Sequence, residues 1–220
     1  MPNIPFSEVC RLFRVYIRAL TGADIVINLS NDTFQSYPHP SPEAINLPEE
    51  IHEFANREDN FWLYKVYISH QLGYFLYDSF SLSHEDFFLS FPEPDLAARI
   101  FYLLEDGRVD NCLQREYQGL ARDIRRFRQN RLATTVNREE SWPETIEAMV
   151  WERLSNSSHH SRYTTLWESW FREVASRVTE PGAMVFDSVI GTLFLYTIIS
   201  HIRQSLTWKN DLGGALPLSF

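Results

Sequence analysis

The chain has 220 residues, 44% of them hydrophobic and 15% aromatic. That content over that length supports a sizeable packed core and excludes wholesale disorder, and 8 Gly against 11 Pro excludes collagen-like or low-complexity material. A formal net charge of −9 disfavours nonspecific nucleic-acid binding by the molecule as a whole.

The N-terminal MPNIPFSEVCRLF lacks the basic start and apolar core of a signal peptide, so a cytoplasmic protein is expected. Cys10 and Cys112 fit no metal or redox spacing and read as reduced thiols. Apolar residues at Val9, Leu12, Phe13, Tyr16, Ile17 and Leu20 step by three and four. They predict a helix over 6–20, with Ser7 as its N-cap and Gly22 just past its end.

The period then changes. ADIVINLS (23–30) and EAINLP (43–48) are short apolar runs separated by the proline-rich QSYPHPSP, which predicts a small two-stranded hairpin-like element. Leu47-Pro48-Glu49-Glu50 reads as a helix start, with proline at the first helical position and acids in the first turn. A long helix is expected at about 59–77. Another opens at Pro94 and Asp95 and continues to Tyr117, with Gly107 as a tolerated cost or a break and Gly119 as an end or a bend. Further helices are expected at about 120–132, 142–154, 163–178 and 183–208, with SNSSHHS (155–161) as a polar connector. The apolar run Ser188–Ser200 falls short of the roughly 20 residues a bilayer requires. Asp187 and His201 bracket it, so it reads as a buried central helix. With no internal repeat and no linker, residues 1–220 are expected to form one mainly α domain with a small two-stranded β element near the N-terminus.

Four places carry candidate chemistry. In HQLGY, His70 stands where a zinc peptidase has the first histidine of H-E-x-x-H, but Gln71 replaces the glutamate and Tyr74 the second histidine. Glutamine is no general base near neutral pH and neutral tyrosine is a poor zinc ligand, so a hydrogen-bonded packing histidine is the simpler account. In LLEDGRVD, helical spacing puts Glu105 on one face with Arg108 and Asp106 with Asp110, as either a polar network or a solvated surface. The run REYQGLARDIRRFRQNR holds Arg115, Arg122, Arg125, Arg126, Arg128 and Arg131. It has no lysine and only Tyr117 and Phe127 as aromatics, which suits a solvated face or a protein contact better than RNA. His159-His160 beside Ser157 and Ser158 read as loop residues rather than a catalytic arrangement. Phosphate-loop, dinucleotide-binding and nucleophile-elbow signatures are missing.

NFWLYKVYISHQLGYFLYDSF (60–80) followed by DLAARIFYLLEDGRVDNCLQREYQGL (95–120) resembles the N-terminal region of the NorD/CbbO-type nitric oxide reductase activation and Rubisco activation accessory proteins. Their pattern runs N-F-x-x-Y-K, H-Q-x-G-h-x-E-F-G-x-F (h, apolar), I-F-x-x-L-E-D-x-R-[IV]-D and Y-x-G-L. INLPEEI (45–51) and FDSVIGTLFLY (186–196) add matches, so the resemblance covers nearly the whole chain. In that family the helical region precedes a von Willebrand factor A domain with a D-x-S-x-S metal-ion-dependent adhesion site. The accessory protein works with a MoxR-type AAA+ ATPase to remodel or activate a target complex. Asp187-Ser188-Val189-Ile190 does not supply that site, and the family's E-F-G has become Leu76, Tyr77 and Asp78.

The resemblance implies a degenerate zincin-like scaffold in which His70, Gln71, Glu105, Asp106, Arg108 and Asp110 form an interior polar network without catalysis. It implies a non-enzymatic interaction domain whose partners are a MoxR-type ATPase or a client complex. Arg122, Arg125, Arg126, Arg128 and Arg131 are the expected protein contacts. The alternative is a residual zinc-binding, metallopeptidase-like domain with His70 and Asp106 as ligands and Asp110 or His201 as a third. No other cofactor is implied.

Overall fold

Residue-level description rests on a computed structural model, which describes residues 4–30, 40–135 and 166–211. The N-terminal amphipathic segment forms α1 (Phe6–Thr21), preceded by β1 (Ile4–Pro5), and buries Phe6, Val9, Phe13 and Ile17. Pro5, not Ser7, holds the N-cap place and no side chain caps the helix. The reason lies in the bend at Glu49: Phe6 N–H donates to the Glu49 carbonyl at 2.8 Å, so backbone satisfies a donor at the helix start. At the other end Gly22, with φ 71°, closes the helix by donating its N–H to Arg18 O.

The two expected strands are β2 (Val26–Ser30) and β3 (Ala44–Pro48), but they pair in parallel, with Ile27 against Ile45 and Leu29 against Leu47. They are therefore not a hairpin, and the chain between them is long enough for the crossover of a dozen or more residues that a parallel pair needs. No helix starts at Pro48. The Glu49 N–H donates to Ser30 O, and β4 (Glu50–Ile51) pairs antiparallel with β1, so the backbone here belongs to sheet.

Asn56 caps α2 (Arg57–Leu76) by accepting from the Asp59 N–H, with Glu58 and Asp59 in the first turn where the helix dipole favours them. Past Asp78, whose φ is 55°, come a 3-10 turn (Ser79–Ser81) and the short α3 (His84–Leu89), which sequence periodicity did not indicate. α4 (Pro94–Glu116) runs unbroken through Gly107, and α5 (Gln118–Thr135) starts directly after it, before Gly119. α6 (Leu166–Val178) and α7 (Val185–Asp211) complete the described elements. The expected helix at 142–154 and the connector at 155–161 lie outside the described residues.

The fold is mainly α, with the small β element near the N-terminus. One apolar cluster joins α1, the strands and α2, and a second joins α4, α6 and α7. A smaller third, around Tyr74, Val109, Leu113, Leu120 and Ile124, joins α2, α4 and α5. Two glycines set the helix crossings. A Cβ at Gly73 would lie 2.4 Å from Val109 Cγ1, and one at Gly191 would lie 2.8 Å from both Leu104 and Val174, so each contact excludes even a methyl group.

α2 and α4 are therefore the central helices. The expectation that 188–200 is buried centrally needs correcting: α7 buries Ser188, Thr192, Leu195 and Ile199 but exposes Phe186, Ile190, Leu193 and Phe194. Among the described residues no helix is long and apolar enough to cross a membrane. Cys10 and Cys112 are free thiols.

Candidate functional site

Charged side chains inside the protein cluster on two sides of α4. Asp106 and Asp110, one turn apart, face α2, where His70 lies between them. Its Nδ1 is 2.7 Å from Asp110 Oδ1 and its Nε2 is 2.9 Å from Asp106 Oδ1. Tyr74, one turn after His70, donates its hydroxyl to the same Asp106 oxygen at 2.7 Å. From α5, Arg128 donates Nε–H to Asp110 Oδ2 at 2.8 Å; its Nη2 donates to that oxygen and, at 3.3 Å, to the Asp106 carbonyl. His70, Asp110 and Arg128 are buried; the Asp106 side chain keeps 19% of its surface.

Burial alone would push the His70 pKa down, but Asp110 and Asp106 outweigh it and raise it to about 9. His70 is thus an imidazolium at neutral pH, with both N–H groups donating to carboxylates. Two cations, His70 and Arg128, balance two anions, Asp106 and Asp110. Burial and the nearby Asp106 and Glu105 charges push the Tyr74 pKa well up, which keeps it a neutral donor.

The second cluster lies towards α7. Glu105 Oε2 accepts from Arg108 Nε at 2.8 Å and from Ser188 at 2.7 Å, while Oε1 accepts from Arg108 Nη2 at 2.6 Å and from Ser79 at 2.5 Å. The remaining Arg108 donors reach Tyr77 O at 2.9 Å and Ala183 O at 3.2 Å. This buried ion pair is also neutral overall, and it ties α4 to α7 and to the turn after α2.

Of the expected network, His70, Asp106 and Asp110 come together, Glu105 and Arg108 form the separate pair, and Gln71 joins neither. Its amide exchanges two hydrogen bonds with the Asn46 backbone, at 2.7 and 2.8 Å, and so fixes α2 to β3.

Zinc does not fit these residues. A ligating histidine needs one nitrogen free, whereas both nitrogens of His70 are taken by carboxylates and Asp110 is held by Arg128. His201 lies on the exposed side of α7. Among the described residues no group of three His, Cys, Asp or Glu side chains is arranged to hold a metal.

The arginine helix divides. Arg128, expected at the surface as a protein contact, is buried, because it shares the α5 face of Leu120, Ala121 and Ile124 and neutralises Asp110. Arg126 pairs with Asp59 at 2.7 Å and stacks over Trp62 at 4.6 Å. Arg122 and Arg125 are exposed. The Arg131 side chain and His159-His160 lie outside the described residues.

Sequence reasoning missed Arg128, Tyr74, Ser79 and Ser188 as members of the clusters. For Arg128 a signal existed, since it falls one turn after Ile124 and two after Leu120. For Ser79 and Ser188 none did, because their roles depend on how a turn and α7 pack against α4. No family model, curated protein or solved structure matches the chain.

Proposed function

We propose that the chain is a non-catalytic protein-interaction domain of an accessory protein that assists a MoxR-type AAA+ ATPase in remodelling or activating a target complex. One observation carries the non-catalytic part. The ionisable side chains of the central motifs are paired inside the chain in two charge-balanced clusters, with His70, Asp110, Glu105 and Arg108 buried in ion pairs. Buried networks of this kind hold a fold in register when fully hydrogen-bonded. Function then falls to the surface. The resemblance of the central motifs to the NorD/CbbO-type proteins supports the ATPase system as the setting.

The contact surface in this reading is α5. Arg122 and Arg125 extend from it on a chain whose net charge is −9, a local basic site suited to an acidic surface of the ATPase or its client. The test is capture of a purified MoxR-type ATPase by the wild-type chain and by Arg122→Glu/Arg125→Glu. Capture weakened about tenfold or more, ~1.4 kcal/mol, with unchanged thermal melting supports the assignment. Equal capture by the double variant removes α5 as the contact. No capture by the wild type removes the ATPase reading itself.

A further inference from the structure

The exposed side of α7 leaves a run of large apolar side chains in water. Phe186, Ile190, Leu193 and Thr197 recur in steps of four, three and four along one line of the helix. That is the spacing of a seam between two packed helices, not of isolated surface residues. Phe194 widens the line, and Trp170 of α6 packs against it with ring centroids 6.3 Å apart. Phe186 and Ile190 expose 58% and 57% of their surface, Leu193 48%, Phe194 44% and Trp170 39%. Together these side chains leave roughly 500 Å² of apolar surface in water, in the range where a patch marks an interaction site.

We infer that this face is an interface between two copies of the chain, with α7 antiparallel to α7 of the second copy. Three observations select that occupant. First, two such faces remove roughly 1,000 Å² from water, the size at which an interface becomes specific, before any polar rim is counted. Second, no charged residue occurs between Asp187 and His201, so the strip can meet only another charge-free strip without desolvating an ion. Both copies carry −9, and the strip offers each a neutral surface on which to meet, on both sides at once, as a two-fold interface requires. Third, an antiparallel two-fold at Phe194 keeps the two acidic Asp187 ends at opposite ends of the seam. A parallel pairing would set like ends together. The inference rests on α6 and α7 and is independent of the contact assigned to α5.

Sedimentation equilibrium of the full chain over a range of concentrations tests it, alongside Ile190→Glu/Leu193→Glu and the control Leu12→Glu/Val15→Glu, which changes exposed apolar residues on α1 instead. The expected result is twice the 25.9 kDa chain mass for wild type and control, and the single-chain mass for the α7 variant with an unchanged circular dichroism spectrum. Should that variant fail to fold, Thr197→Lys, at an exposed position of the same seam, asks the same question. A wild type monomeric at every concentration overturns the inference, including the case in which the α7 variant melts lower because the chain's own residues cover the face. A dimer that persists in the α7 variants also overturns it.

Discussion

The two buried ion clusters flank the same helix and are both charge-balanced, yet they are built differently. The Glu105–Arg108 pair is made within one turn of α4, and its other partners are the hydroxyls of Ser79 and Ser188 and two backbone carbonyls. The His70 cluster draws its charges from α2, α4 and α5, and none of its ionic contacts is local in sequence. The first pair can form as soon as α4 does. The second exists only when three helices have assembled, and it contains His70, whose pKa the cluster raises to about 9. Equal charge balance thus hides unequal tolerance: neutral hydroxyls can still serve a carboxylate whose arginine is removed, whereas Asp110 loses the guanidinium that meets its Oδ2.

The sharpest break of that comparison is Arg128→Met. It removes the guanidinium from buried Asp110, and loss of one partner of a buried pair costs about 3–5 kcal/mol. Urea denaturation followed by circular dichroism should show that loss; a change under about 1 kcal/mol would mean that Arg128 is not coupled to the cluster. The second effect is pH. His70 stays protonated to about pH 9 in the folded chain, against an ordinary value of 6.5. Between those values the folded state holds more protons than the unfolded one. The stabilisation is therefore complete below about pH 6.5, declines as pH rises and is gone above about 9, on the order of 3 kcal/mol in all. Urea midpoints from pH 6 to 10 measure the slope, and His70→Gln should flatten it. A slope that persists in that variant belongs to another group.

Much of the fold could be read from one-dimensional pattern because helix positions follow apolar period and punctuation. Pro94 opens α4, Gly22 closes α1, and the spacing in LLEDGRVD correctly divides Glu105 and Arg108 from Asp106 and Asp110. What escaped depends on partners distant in the chain. Pro48 with two following glutamates has the local chemistry of a helix start, yet β1 and β2 claim that backbone for sheet. The strand pair was visible in composition, but its parallel direction was not, since direction is set by the connection. Arg128 carries a charge that points to the surface, yet its face-mates Leu120, Ala121 and Ile124 put it inside, where Asp110 makes a buried guanidinium tolerable. The α7 run was apolar enough to suggest full burial, and only the packing shows which half of it faces water.

A smaller effect is expected from Arg108→Met. Glu105 loses its ion pair but keeps the hydroxyl donors of Ser79 and Ser188, and its carboxyl can take up a proton, so the loss should be about 2 kcal/mol, below that for Arg128→Met. If the two variants lose equal stability in matched urea titrations, the hydroxyls do not buffer the pair and the contrast between the clusters fails.

Tyr74→Phe is the mildest and the most discriminating of the set. The ring keeps its contacts with His70 and Phe80, at centroid distances of 5.6 Å each, so packing is preserved and only the hydroxyl is lost. That hydroxyl shares Asp106 Oδ1 with His70 Nε2, and it draws off part of the charge the imidazolium sees. Its removal should cost about 1–1.5 kcal/mol in urea, since Asp106 is partly exposed and water can replace the donor. The same removal concentrates the Asp106 charge on His70. The His70 midpoint, followed by the NMR shifts of its ring protons, should therefore move above that of the wild type while stability falls. A purely structural role for Tyr74 would loosen the cluster and lower stability and midpoint together, so the sign of that one shift separates a hydrogen bond that tunes the ion cluster from a ring that merely fills space beside it.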